Sequence, residues 1–345
     1  MSKIVVLDER NFSIGQFDAI AQSLAWSLNG HPNVSGGGSS QIVIADEIAG
    51  QKWLNFGRMV VVIPEDLEPY IGMIDTPWSA MPPVQITIYD PEYLLNIRVA
   101  ENAPVKYTGD VSAIISQIID TANANEDIYL RLGIVQGVDA TNREETLDGR
   151  TLWEQVKALL QRSGTEMKIR PAQGPDKRWY IYLDISKSMG VDTEFLLSDG
   201  EQGNMKIRSA VVRGEIVNRV IGISSQSSAA SRLQTYPIEN VTSKNMYRMR
   251  NKFLQFRDVT DGNTLIANAQ NFLSASSKPY LELSVDVINV NHGFLNLRLG
   301  NKLMTHAPNV RLPGGVSGCR GKTRITKMAF TEATKTITMT LIGDL

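Results

Sequence analysis

Val84-Gln85-Ile86-Thr87-Ile88-Tyr89-Asp90 sets an apolar side chain at every second position, and Thr336-Ile337-Thr338-Met339-Thr340-Leu341 does the same some 250 residues later. A strand sends successive side chains to opposite faces, so a period of two describes a sheet with one face on a core and the other in water. Leu24, Trp26 and Leu28 alternate with Ala25, Ser27 and Asn29, and Leu281-Glu282-Leu283-Ser284-Val285-Asp286-Val287 repeats the pattern. Strands buried on both faces of a doubly wound parallel core read as continuous apolar runs, so this alternation points to antiparallel sheet. The fold class expected is mainly β with an α+β insertion.

The surroundings of these two strands also resemble each other. Leu54-Asn55-Phe56-Gly57-Arg58-Met59-Val60-Val61 precedes Ile71-Gly72-Met73-Ile74 and the first alternating strand. Leu297-Arg298-Leu299-Gly300-Asn301-Lys302-Leu303-Met304 precedes Arg324-Ile325-Thr326-Lys327-Met328 and the second. Each half sets a glycine, Gly57 or Gly300, between two strand-like runs, where a strand bends or another backbone comes close. On pattern alone, duplication and chance similarity stand level. If the segments are duplicates, Ile86 and Ile88 face one core and Ile337 and Met339 the other, with Thr87 and Thr338 outward.

Three amphipathic helices interrupt the strands. After Asp110, a suitable N-cap, Val111, Ile114, Ile115, Ile118 and Ile119 share one helical face. Thr151 with Glu154 forms a capping-box pattern before the stripe Leu152, Trp153, Val156, Leu159 and Leu160, and Gly164 supplies the stop. A third stripe follows Thr264 with Leu265, Ile266, Ala269, Phe272 and Leu273. A hairpin is expected from Met167–Arg170 and Arg178–Leu183 around the turn residues Pro171–Asp176. Gly36-Gly37-Gly38-Ser39-Ser40 and Ser224–Ser228 are loops by composition.

Composition narrows the function classes. Lys+Arg 35 against Asp+Glu 36 in 345 residues gives a net charge of −1, without the basic excess of a general nucleic-acid binder. No run is long enough for a membrane span, and the apolar stretch Ile4–Leu7 is too short for a secretion signal, so a soluble protein made inside a cell is expected. Cys319 is alone, which excludes internal disulfides and multi-cysteine metal sites, and His31, His292 and His306 lack ligand spacing. Gly321-Lys322-Thr323 resembles the end of a phosphate-binding loop. The position for the loop's first glycine is Val316, however, and a strand-like run follows instead of a helix, so a basic turn is expected. Cys319 near His306 carries no protease signature. Asp46/Glu47 and Glu144/Glu145 are adjacent pairs that a strand points apart, not a converging glycosidase pair. No catalytic residue, cofactor or metal is expected. Lys244-Asn245-Met246-Tyr247-Arg248-Met249-Arg250-Asn251-Lys252-Phe253 mixes cations, Met and aromatics, and reads either as a partner contact or as a solvated basic loop. Tyr247, Arg248 and Arg250, with Arg257 beyond, are the candidate partner-interface residues.

The order of these elements resembles bacteriophage tail-hub (baseplate hub) proteins. The features that carry it run in sequence: Gly72-Met73-Ile74-Asp75, Val84–Asp90 and Leu94-Leu95-Asn96-Ile97-Arg98; the isoleucine helix after Gly109; Leu152-Trp153-Glu154-Gln155-Val156 with Ser163-Gly164; Leu197-Ser198-Asp199-Gly200; Val211–Val220; Leu299–Leu303; and Ile325–Met328. The resemblance implies a first tube-like antiparallel β-barrel domain over residues 1–98 and an α+β domain over 99–195. A second, similar barrel follows over 196–345, with an insertion around 225–280. It further implies a homotrimer whose six barrels adapt a sixfold tail tube to a threefold spike or fibre. Such a hub has tail-tube or distal-tail proteins on one side, a spike or fibre protein on the other, and DNA passing through the lumen without sequence-specific binding. The location implied is the virion tail tip, after synthesis in the host cytoplasm. A β-rich adhesin or carbohydrate-binding protein is the alternative. Its sugar-stacking aromatics are hard to find, because Trp26, Trp153 and Trp179 sit in apolar stripes.

Overall fold

The computed structural model describes residues 1–29, 38–65, 67–79, 81–100, 104–124, 126–147, 150–200, 203–224, 232–256, 259, 261–287, 297–313 and 316–344. Six strands open the chain: β1 (Ser2–Leu7), β2 (Ser13–Ser27), β3 (Ser39–Ile44), β4 (Met59–Ile63), β5 (Tyr70–Ser79) and β6 (Val84–Tyr89), with the short helix α1 (Asp46–Ala49) after β3. They pair antiparallel in the order β1-β4-β5-β6-β3-β2, and β2 returns to β1 to close a barrel. Each strand of the set thus has a neighbour on both sides over at least part of its length. Ile4, Val62, Ile74, Ile86 and Ile88 fill its interior and are fully buried.

The middle of the chain is an α+β unit: α2 (Glu92–Asn96), β7 (Val105–Gly109), α3 (Val111–Asn123), β8 (Leu130–Gln136), β9 (Arg143–Leu147), α4 (Leu152–Ser163), β10 (Glu166–Gln173) and β11 (Trp179–Ser186). Asp110 caps α3 by accepting from Ala113 N. At α4, Thr151 and Glu154 close the capping box, and Gly164 ends the helix in the left-handed conformation. The buried stripes of α3 and α4 pack on β8 and β11 and on the outside of the barrel through Val5, Leu7, Val61 and Ile71. Strands β1 and β4 are therefore buried on both faces, which is why Met59-Val60-Val61-Val62 does not alternate.

The remaining elements are β12 (Asp192–Ser198), β13 (Met205–Arg213), β14 (Arg219–Ser224), β15 (Ile238–Glu239), α5 (Val241–Tyr247), β16 (Asn251–Phe256), α6 (Gly262–Ser276), β17 (Tyr280–Val287), β18 (Lys302–Arg311), β19 (Ser317–Thr331) and β20 (Thr336–Asp344). Strands β15-β14-β16 make a small separate sheet against α6, around Val217, Val220, Ala269 and Leu273. The other six pair as β12-β18-β19-β20-β17-β13, and the two ends of this set touch at a bridge between Asp199 and Met205. Numbered in chain order within each set, both follow the order first, fourth, fifth, sixth, third, second. One strand departs from the match. β12 enters from β11 and runs parallel to β18, whereas β1 runs antiparallel to β4. The two sets join through β2 and β19, where Leu24–Ser27 pair antiparallel with Lys327–Phe330, and their interiors form one continuous apolar core.

Three sequence expectations need correction. Helix α6 starts at Gly262 with Asp261 as its N-cap, earlier than the Thr264 start, because the Asp261 carboxylate accepts from Thr264 N. Its residue Ile266 faces outward and is 41% exposed, so it leaves the buried stripe. Thr87 points away from the barrel interior and yet is only 4% exposed, because protein and not water covers that part of the outer surface.

Candidate functional site

The two halves share their turn chemistry. In the first, Arg58 N donates to Asn55 O (3.3 Å) across a turn with Gly57 at φ +79°. Gly57 N then donates to Ile74 O (2.9 Å), and Ile74 N to Arg58 O (2.9 Å). In the second, Asn301 N donates to Arg298 O (3.1 Å) with Gly300 at φ +84°. Gly300 N donates to Ile325 O (2.8 Å), and Ile325 N to Asn301 O (3.0 Å). A positive φ at the third turn residue is what a type II turn requires and what glycine adopts freely. The structure thus places Gly57 and Gly300 at the same point ahead of β4 and β18.

The bulges agree as well. Strand β2 slips register on β3 between Ala21 and Ser23, and β13 slips on β17 between Ile207 and Ser209. Aligning Ile74 with Ile325 aligns their partners Ile88 and Leu341, and then Ile86 with Met339. The apolar pair of β20 equivalent to Ile86/Ile88 is therefore Met339/Leu341, two residues later than the sequence pattern alone suggests.

A buried polar junction ties the second barrel to the α+β unit. Arg324 on β19 forms a two-pronged ion pair with Glu166 on β10, and its Nε donates to Gly300 O (3.0 Å). Glu166 also accepts from Met189 N (2.7 Å). With Arg324 and Glu166 side chains only 14% and 8% exposed, the pair is shielded from water.

A second polar group lies where the first barrel meets α2, and the sequence reading missed it. Asp90 accepts from Tyr70 Oη, and Glu92 accepts from Asn29 Nδ2; both carboxyls are buried, and Glu92 Oε2 has no hydrogen-bond partner. Asn29 also exchanges two backbone hydrogen bonds with Met167, which links this group to β10. A cavity of about 420 Å³ opens beside the carboxyls, lined by Tyr89, Tyr93, Asn96 and Trp153 among others. Burial raises Asp90 to about 7 against the pull of the Tyr70 hydrogen bond. It raises Glu92 to about 8, helped by the Asp90 charge and opposed by Asn29 and Lys157. The signal was present only as acidic residues inside an otherwise apolar stretch, with nothing in the spacing to show that both would be covered.

The residues singled out in the sequence fall in several places. Tyr247 ends α5, while Arg248 (φ +63°) and Arg250 lie in the link to β16, so the basic segment is a helix, a bend and a strand rather than a loop. Asn218 holds that bend, with Nδ2 donating to Arg248 O (2.6 Å) and Oδ1 accepting from Arg250 N (2.7 Å). Met246, Met249 and Phe253 within the segment, and Tyr236 and Val241 before it in the chain, are all more than half exposed. Arg257, His31, His292, the glycines 36 and 37 and the serine run 225–228 lie outside the described residues. Gly321-Lys322-Thr323 sits inside β19 and is not a turn: Lys322 pairs with Asp192, and Thr323 is buried against Thr305. Cys319 lies on the same strand, opposite Ala307, next to the His306–Arg320 pair. Asp46 and Glu47 open helix α1 rather than lying on a strand. On β9, Glu144 pairs with Lys106 and Glu145 with Arg162, on opposite faces. Among the described residues, no group of three or more His, Cys, Asp and Glu could hold a metal, and no helix is long and apolar enough to cross a membrane.

Two like-ordered six-stranded sets joined edge to edge and flanked by an α+β unit make a fold shared with phage tail proteins. The chain is similar to the prophage tail protein gp18 from Listeria monocytogenes EGD-e, with a TM-score of 0.60 over 99% of this chain and 94% of that one at 12% identity. It is also similar to the tail protein from Neisseria meningitidis MC58, at 0.59 over 99% and 97% and 12% identity. The 43 kDa tail protein of prophage MuSo2 from Shewanella oneidensis gives 0.58 over 98% of both chains at 12% identity. No protein-family model and no curated protein matches the chain.

Proposed function

We propose that this chain is the structural hub of a phage tail tip or baseplate, a homotrimer without catalytic activity. The observation that carries the reading is the repeated strand order, with the same glycine turn and the same bulge in both sets. A threefold assembly meets a sixfold tube on equal terms only if each chain offers two like surfaces. The domains are residues 1–98 for the first tube-like barrel, 99–195 for the α+β unit and 196–345 for the second barrel, with the insertion around 225–280. Tail-tube or distal-tail proteins bind one side of the ring and a spike or fibre protein the other, and DNA crosses the lumen without sequence-specific contacts. The protein is made in the host cytoplasm and ends in the virion tail.

Tyr247, Arg248, Arg250 and Arg257 are assigned to partner contact. Arg248 and Arg250 make no ion pair among the described residues, and they stand beside exposed Met246, Met249 and Phe253, a mixture enriched in interface cores. Light scattering and co-assembly with the cognate tail-tube protein test the hub: a trimer that caps tube rings supports it. A monomer that binds glycans on an array instead supports the adhesin reading.

A further inference from the structure

The two barrels join within one chain along a single antiparallel pair of strands. In that join, Leu24–Ser27 of β2 pair with Lys327–Phe330 of β19, Ala25 opposite Ala329 and Trp26 opposite Met328. Each of these strands has a counterpart in the other barrel. Ala21 and Ile207 precede equivalent bulges, so Leu24–Ser27 correspond to Ala210–Arg213 on β13. Through Ile74 and Ile325, Met328 and Ala329 correspond to Trp78 and Ser79 on β5, and Lys327 to Asp75.

These counterparts carry bare edges. Strand β13 pairs along its length with β17 alone, and Ala210, Val211 and Arg213 are exposed, whereas Leu24 in the occupied edge is fully buried. Beyond Ile74, β5 pairs with β6 on one side, and among the described residues no strand pairs with its other side. An unpaired edge is a template for another strand, and these two are the counterparts of the edges that pair with each other in the internal join. One belongs to the second barrel and the other to the first, so pairing them between copies would be head to tail and would close into a ring if the rotation permits.

We infer that Ala210–Arg213 of one copy pair antiparallel with the Asp75–Ser79 segment of the next, repeating between chains the ladder that β2 and β19 make within one. The register sets Val211 opposite Ser79, Val212 opposite Trp78 and Arg213 opposite Asp75. The last pair brings opposite charges together where the internal join has Ser27 and Lys327. Thr76 and Pro77 form the β5 bulge and stay outside the ladder. This interface rests on the trimeric hub reading and names the strands that build it.

Directly opposed antiparallel residues have Cα atoms about 4.5–5.5 Å apart, within the reach of a disulfide. The double variant Val211→Cys, Ser79→Cys, in a Cys319→Ser background, is oxidised and run on a non-reducing gel. A covalent trimer is expected, with neither single variant giving one. Hydrogen exchange on the unmodified protein supplies a second reading: slowed amides in segments 75–79 and 210–213 that become fast on dilution to monomer. A trimer by light scattering with no cross-link and no slowed exchange in these segments overturns the interface and leaves the hub standing. A monomer up to about 100 µM, well above typical dissociation constants of stable complexes, overturns both.

Discussion

Replacing Gly57 and Gly300 by alanine, one at a time, isolates what the equivalent turns do differently. Both glycines have φ near +80°, where an L-residue pays about 1–2 kcal/mol. A Cβ at Gly57 would meet nothing within 4 Å, so Gly57→Ala is expected to cost that backbone term alone. A Cβ at Gly300 would lie 2.6 Å from Met189 O and 2.7 Å from Met189 C, both backbone atoms. Gly190 stands against the same turn, its own missing Cβ only 2.1 Å from Gly300 C, so the chain there has no slack. Relieving the clash requires a shift of the Met189 backbone, and overpacking of that kind costs about 1–3 kcal/mol more. Met189 N is held by Glu166 and Gly300 O by Arg324, so the shift also strains the polar junction. Gly300→Ala is therefore expected to lose about 2–5 kcal/mol in total. Urea unfolding at one fixed protomer concentration measures both. Equal losses would refute the claim that the second turn bears the contact with the α+β unit, and a neutral Gly57→Ala would refute the shared left-handed turn.

Three further outcomes are expected. Asp90 at about 7 and Glu92 at about 8 keep protons in the native chain that the unfolded chain, with values near 4, has already released. Stability therefore falls as pH rises from about 4.5 to 8 and levels off above. Glu92→Gln should flatten that slope and gain about 1–3 kcal/mol between pH 5 and pH 8, and parallel pH profiles of the two proteins would contradict it. Arg324→Met leaves Glu166 buried without its cation and should cost about 3–5 kcal/mol by urea unfolding, while Glu166→Gln in the same background should recover part of the loss. Lys322→Ala removes an exposed pair with Asp192 and should change stability by no more than about 0.5 kcal/mol, with no nucleotide binding to lose by calorimetry.

The sequence by itself determined the local periods. Alternation at Val84–Tyr89, Tyr280–Val287 and Thr336–Leu341 meant strands with one face on a core, because side-chain direction in a strand depends on nothing beyond the backbone. The caps of α3 and α4 were legible for the same reason, since Asp110 and Thr151 act on amides within three residues. Where the competing influence was distant, the sequence was silent or misleading. Gly321-Lys322-Thr323 contains turn-forming letters, yet all three residues pair with β18, and Thr323 also with β20, which holds this stretch of β19 extended. Ile266 fits a helical stripe, yet α6 turns it away from its sheet. Asp90 and Glu92 carried no signal of burial, which comes from Tyr70, Asn29 and the Asn29 link to β10. The register that makes Leu341 and not Met339 the equivalent of Ile88, the reversal of β12, and the ladder from β2 to β19 all depend on pairings between residues far apart in sequence. Only tertiary structure decides those, because a strand's own residues specify which face is apolar but not which strand lies beside it.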